Sequence, residues 1–398
     1  MNRTAIVYLV SFAAFMGPFT QTIYTPILPE VTEQFRTSPL LVNLTISIFT
    51  FILALMQLVY GPLTDARGRR RVVLAGIAIY IAASAGCYFS GGIGTLLLFR
   101  ALQAVGIAAG GVVAVAVIGD LFEGRERGAS MGTFQTMVSL GPVVGPIVGG
   151  FLGGRFDFHS VFLALAAAGA LIWLGHFLFL RETKPAAAAG DRFSARDFLT
   201  VLRDRMGLAI VLLGFVQYYT FYNFLVFLPG ILNDRYALSA EEKGLVFLPM
   251  SLSIVLGSFL GGRLQQRLDG RRLVVGTAYL NVAAVLLFLL VSHVSLPLLM
   301  AATVLFGLCL GLSLPVQTTL LTGAFAAKRA TATGVYNFAR YMGMGCGPLL
   351  GAVLFGLGGY ALLYGFAGAA FLGCSFALVR LMGSYRTVVA AMRRDGKA

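Results

Sequence analysis

Two arginines carry most of the chemistry that this sequence offers. Arg100 lies in the apolar run Leu96–Gly106 and Arg340 in Tyr336–Gly343. In an apolar surrounding a guanidinium costs several kcal/mol unless it meets a partner or faces a polar cavity. Arg100, Gln103, Ile107, Gly110 and Gly111 fall on one helical stripe, and Arg340 follows Asn337 by one turn. A deep, unpaired arginine suits an anionic or strongly polar ligand group, and a structural hydrogen-bond hub is the other reading. Polar and aromatic side chains in similar runs could line the same path: Gln21, Tyr24, Gln217, Tyr218, Tyr222, Asn223 and Gln317. Tyr218 and Tyr222 are spaced to stack on a flat ligand, although each position suits helix packing equally well. No Asp or Glu occupies the middle of an apolar run. The nearest acids are Glu30 and Glu33 at one end of the runs and Asp65 and Asp120 at the other, and Glu30 is the best candidate for carrying a proton.

Enzymatic chemistry has little to rest on. The Gly-rich stretches lack the Gly-Lys-Ser/Thr ending of a phosphate loop, and no His/Cys/carboxylate cluster has metal-ligand spacing. Cys87, Cys309, Cys346 and Cys374 all sit in apolar runs and read as small buried residues. Neither a catalytic residue, a metal nor a cofactor is expected.

The elements that position these side chains must be helices in lipid. Hydrophobic residues make up 58% of the 398, with 49 glycines besides, and only 12% are charged. Soluble proteins are about 45–50% apolar and about 25% charged. The net charge of +14 could suggest nucleic acid, but no basic stripe is interleaved with exposed aromatics, and nucleic-acid binding is excluded. Apolar segments of about 20 residues mark membrane spans. They fall at 5–25, 42–62, 72–90, 94–119, 129–153, 159–181, 206–232, 243–263, 272–292, 296–323, 329–355 and 359–382. The first reads as a retained span, since no small-x-small cleavage site follows it. The polar stretch 182–204 reads as a linker, dividing the chain into an N-terminal bundle 1–181 and a C-terminal bundle 205–398.

Charge gives an orientation. With both termini on one side, the loops there collect every Lys and Arg except Arg36, Arg155, Arg235 and Lys243 outside and the embedded Arg100 and Arg340. The positive-inside rule places both termini in the cytoplasm. The halves also repeat. Gly132, Gly141, Gly145, Pro146 and Gly149 recur in Gly334, Gly343, Gly347, Pro348 and Gly351 at one constant offset, which also relates Gly68, Arg69 and Arg70 to Gly270, Arg271 and Arg272. Parallel six-span repeats are a transporter architecture with the substrate site near mid-membrane at the interface of the halves.

Two motifs carry a family resemblance. After span two come Gly61, Leu63, Asp65, Gly68, Arg69 and Arg70, with Ala66 where a basic residue is usual. This resembles the loop signature of the major facilitator superfamily. Gly132, Gly141, Gly145, Pro146, Gly149 and Gly150 in span five fit the antiporter motif of its drug-export branches. Such glycines leave a nearly side-chain-free stripe for close helix approach, and Pro146 permits a bend. The span-eleven copy is either a relic of symmetry or a second seal. Around Arg100 and Gln103 the sequence is similar to the span-four motif that the family associates with proton transfer.

The resemblance implies an all-α membrane protein of twelve transmembrane helices in two pseudo-symmetric six-helix bundles. It implies a cytoplasmic latch in which Asp65 meets the N-terminus of span eleven, where the helix dipole favours an anion, and Arg69 pairs with Asp120. Arg267 replaces the acid in the second half, so that latch would be one-sided. The expected activity is secondary active export of an amphipathic, drug-sized compound by proton antiport, with the proton gradient as energy source. Two embedded arginines favour a neutral or anionic compound over a lipophilic cation. A dedicated exporter or flippase for an anionic metabolite (a siderophore or lipid-linked precursor) and a non-transport membrane receptor are the alternatives. The chain is expected to work as a monomer in a bacterial cytoplasmic membrane, its partners being the substrate, protons and the bilayer.

Overall fold

In lipid every backbone N–H and C=O must be paired within the chain, so apolar runs of this length close into helices. A computed structural model of the chain describes residues 3–122, 124–184, 195–265, 267–325 and 329–395, and among them no strand occurs. Spans one to six are Arg3–Gln34, Pro39–Arg67, Arg69–Tyr88, Ile93–Leu121, Gly124–Arg155 and Phe158–Phe179. Spans seven to ten are Arg205–Tyr236, Ala240–Leu264, Gly270–Val291 and Leu296–Ala324. Helix Arg329–Asp395 holds the last two: Gly358 and Gly359 leave the helical region, and Gly359 has φ 62°, which favours glycine. A short helix, Ala195–Arg203, precedes span seven. At 1.5 Å per residue, twenty residues cover the ~30 Å hydrocarbon core.

Local chemistry sets the span ends. Ser38 caps span two, with Pro39 at its first helical position, and Asp157 caps span six by accepting from Ser160 N at 2.8 Å. Gly68, at φ 93°, separates spans two and three. Large apolar side chains remain on the outside, including Leu171 at 72%, Leu290 at 72% and Leu357 at 76% exposure, as expected where lipid is the solvent.

The chain forms two compact units, Met1–Arg192 with Phe224–Leu248, and Phe193–Asn223 with Pro249–Ala398. In the first, span one packs on spans four and five, span two on four, and span three on four and six. In the second, span nine packs on span ten and on the last long helix. Within the linker at 182–204, residues 185–194 lie outside the described residues.

Candidate functional site

The glycines of span five act first on span one. A Cβ at Gly141 would come within 2.9 Å of Phe19 N, and one at Gly145 or Gly149 would strike Thr22 Oγ1 or Ile23 O. Each lies one turn from the next, so span one is seated along the whole stripe. Gly150 and Gly154 point elsewhere, against Ala240, Glu241 and Gly244 at the start of span eight. A Cβ at Gly132 would meet nothing within 4 Å among the described residues, so this glycine is not part of the close approach. In the second unit Gly343 and Gly347 seat span eleven against Phe215, Tyr219 and Tyr222 of span seven, and Gly334 is open like Gly132. The repeat is therefore a repeat of packing.

That packing buries Arg100 completely. Its Nη1 donates to Gln103 Oε1 at 2.8 Å and to Thr20 O at 3.4 Å, while its guanidinium lies 4.4 Å from the Phe49 ring centre and 5.4 Å from that of Tyr24. Gln103 Nε2 donates onward to Ser84 Oγ at 2.8 Å, and Gln21 Nε2 donates to Thr50 Oγ1 at 2.6 Å. Nε and Nη2 of Arg100 have no hydrogen-bond partner, and no carboxylate pairs with it among the described residues. Two aromatic faces replace the counter-ion. Rather than opening on a cavity, Arg100 is enclosed.

Arg340 is arranged differently. Its Nη2 donates to Tyr218 Oη, its Nη1 to Asn337 Oδ1 at 3.3 Å, and its guanidinium lies 4.1 Å from the Tyr218 ring centre and 5.4 Å from that of Tyr336. Behind it, Tyr336 Oη donates to Gln317 Oε1 at 3.1 Å, and Gln317 Nε2 donates to Gln217 Oε1 at 2.7 Å. Ser313 Oγ accepts from both Gln217 and Gln317. Arg340 is only half-buried, Nε has no partner, and no carboxylate pairs with it among the described residues. Eleven residues past Arg329, it stands roughly 16 Å along the helix. Tyr218 thus meets the guanidinium, and both it and Tyr222 are buried. Asn223 is fully buried with both side-chain polar atoms unpartnered.

The acids lie at the two ends. At one, Arg69 Nε donates to Asp120 Oδ2 at 2.9 Å and Nη1 meets Asp65 Oδ1 at 2.8 Å. Asp65 therefore holds Arg69 one turn away within its own loop. Thr183 Oγ1 donates to Asp120 at 3.1 Å, and Arg70 Nη2 donates to Phe177 O at 2.7 Å. Gly61 is open. Sequence reasoning missed Glu182, whose carboxylate accepts from Arg69 N at 2.8 Å and Arg70 N at 3.2 Å and fills the space over Gly68. Burial raises the Glu182 pKa, but N–H groups of Arg69, Lys184, Arg70 and Thr183 outweigh it and hold the carboxyl below its ordinary range. An acid three residues past Phe179 was the only local signal.

At the other end Lys243 is fully buried and its Nζ donates to Glu30 Oε1 at 2.7 Å and Asn233 Oδ1 at 3.2 Å. Glu30 Oε2 has no partner. Nothing in the sequence near Lys243 foretold this pair, because 213 residues separate its members.

The arrangement holds two embedded cations, a carboxylate–ammonium pair at one end and a charge cluster at the other. No group that could hold a metal ion occurs among the described residues. The profile of the Major Facilitator Superfamily matches residues 10–222 and 210–391. The uncharacterized MFS-type transporter YdgK of Bacillus subtilis is 29% identical over 80% of this chain and 81% of its own length. Citrate exporter 1 of Aspergillus niger is 32% identical over 48% of this chain and 36% of its own. The crystal structure of a bacterial homolog of the human lysosomal transporter Spinster, inward-facing and occupied, superposes with TM-score 0.78 at 18% identity, covering 98% of this chain and 97% of that one. At that identity the likeness is one of fold.

Proposed function

Because the chain belongs to the major facilitator superfamily, a family of membrane transporters rather than enzymes, we propose that it is a secondary active exporter of amphipathic organic compounds bearing an anionic group, driven by proton antiport. The observation that carries this reading is Arg340, a half-buried guanidinium with a free Nε, wrapped by Tyr218 and Tyr336 and with no carboxylate partner among the described residues. A ligand carboxylate, sulfonate or phosphate would complete it, with the tyrosine rings taking the apolar part. Arg100, enclosed and already bonded to Gln103, is a positioning group for spans one and four. A relative that carries the name of a citrate exporter agrees with anion export. A dedicated exporter of one anionic metabolite shares this chemistry, and a broad panel of toxic acids against a single responder separates the two by growth inhibition.

Glu30 supplies the proton site. Protonation removes the charge that neutralises the buried Lys243. A buried, unpaired ammonium is costly, so a proton on Glu30 and opening of this end go together. The charge clusters around Asp65, Arg69 and Asp120 would latch the cytoplasmic end in the alternate state, both termini lying on that side.

Coupling has an electrical signature. One proton moving in against one monoanion moving out carries two positive charges inward, and each is worth about 2.3 kcal/mol per 100 mV. Exchange of a proton for a monocation would carry none. In everted vesicles, uptake of an acidic substrate should follow an imposed pH gradient and rise further with an interior-positive potential. Uptake blind to the gradient removes proton antiport, and uptake blind to the potential removes the anion.

A further inference from the structure

We propose that the cavity at the shared end of spans two, three and six binds the phosphate headgroup of an anionic phospholipid. It has a volume of about 510 Å³, within the ~300–1,000 Å³ of small-molecule sites. Five cationic side chains line it, Arg67, Arg70, Arg71, Arg181 and Lys184, against the single acid Glu182.

That acid is already committed. Both Glu182 oxygens accept from the first backbone N–H groups of span three, which ties the segment after span six across the mouth of the loop. Lys184 Nζ donates to Ala66 O at 3.1 Å, and Arg70 to Phe177 O. Arg67, Arg71 and Arg181 are the remainder: all three are exposed, and none pairs with a carboxylate among the described residues. They come from the end of span two, the start of span three and the end of span six, so three cations converge on one cavity from three segments. Arginine suits phosphate because its planar donors match the oxygens in pairs.

The wall decides for a lipid over a soluble anion. Phe177 and Leu178 line the cavity and are 46% and 59% exposed, and Leu174 and Leu171 extend the same outward face along span six. Arginines over an apolar helix face, at the level where the spans end, give a phosphate and its acyl chains adjoining places.

The full chain, purified in a neutral detergent, would be titrated with phosphatidylglycerol, phosphatidylcholine and inorganic phosphate, and bound species counted by native mass spectrometry. Phosphatidylglycerol should be retained over phosphatidylcholine. Each cation removed should weaken retention about fivefold, so R67Q/R71Q/R181Q together should lose on the order of a hundredfold. The matched triple R263Q/R271Q/R272Q, in the corresponding loop of the second half, should lose less than threefold. Equal losses in the two triples would mean attraction by any basic surface and overturn the site. Inorganic phosphate binding as tightly as the lipid would overturn the lipid assignment. Should the first triple not purify as a monodisperse protein, Arg181→Gln alone decides, with about fivefold loss expected and no loss refuting it.

Discussion

Arg340→Gln tests the substrate chemistry most directly. Glutamine retains a polar group of similar reach and removes the charge. In the wild-type protein the guanidinium is satisfied on two sides, by Tyr218 Oη and Asn337 Oδ1, and unsatisfied at Nε. An acidic ligand would therefore gain a charge-assisted bond without breaking a resident ion pair. Truncating one partner of a buried hydrogen-bonded charge pair costs ~2–5 kcal/mol. Because Arg340 is half-buried, the lower end applies, about 2 kcal/mol or roughly thirtyfold in Kd. Loss of the two aromatic contacts acts on the protein alone and is offset by relief of a desolvated cation. The assay is equilibrium binding of naphthylacetate and its methyl ester to purified protein, which separates charge from shape. Arg340→Gln should weaken the acid about thirtyfold and change the ester by less than about threefold. Tyr218→Phe, which keeps the ring and removes the acceptor hydroxyl, should fall between. An acid that binds Arg340→Gln as tightly as wild type would refute the reasoning, as would equal losses for acid and ester.

Other outcomes follow from the same geometry. Glu30→Gln leaves the buried Lys243 without its carboxylate, so gradient-driven uptake in everted vesicles should collapse while counterflow without a gradient persists; intact coupling would place the proton elsewhere. Gly149→Ala drives a methyl into Ile23 O and should cost ~1–3 kcal/mol or prevent folding. Gly132→Ala has open space and should fall within about 0.5 kcal/mol of wild type; similar thermal shifts for the two would contradict the packing described. Glu182 has a depressed folded-state pKa, so its stabilisation is complete above the unfolded value and fades as pH falls through the folded one. Glu182→Gln should accordingly lower the melting temperature at neutral pH and leave it near wild type in acid, measured by thermal unfolding in detergent; a pH-independent difference would exclude the carboxylate as cause.

Most of the frame was legible because lipid imposes it. Apolar runs of span length have one stable form, and among the described residues each of the twelve read from hydropathy is helical, the last two within one kinked helix and the ends differing. Span one runs on to Gln34 because Pro26 and Pro29 sit in a tight turn and the start of a further helical segment, which continues the span instead of ending it. Helix Arg329–Asp395 runs past Gly358 and Gly359 because those two residues kink the chain without a polar loop. The glycine motif gave the position of close contacts but not their partners: most of the stripe seats span one, and Gly150 and Gly154 meet the start of span eight. Spacing marks a smooth face and is silent on what lies against it. Partner choice over long separations was illegible for the same reason. Lys243 reads as a loop cation until its contact with Glu30 is seen, and Glu182 as linker polarity until it covers the start of span three.

The two repeats share a packing frame and divide the chemistry. Gly141 and Gly145 seat span five on span one as Gly343 and Gly347 seat span eleven on span seven. The charges break that symmetry. The counterpart of Asp65 is Arg267, and the position in span five that corresponds to Arg340 is Val138. Small residues can be duplicated at little cost, since they only permit approach. A buried charge cannot, because each copy needs its own partner, and an unpaired one destabilises the bundle by several kcal/mol. One-sided charges on a symmetric frame give the two halves unequal roles. Both arginines keep unpartnered nitrogens, but Arg100 is fully buried against Phe49, Tyr24 and Gln103, whereas Arg340 is half-buried. Exposure, and not unfinished bonding alone, separates the two, and it is the half-buried Arg340 that the proposed anion would meet.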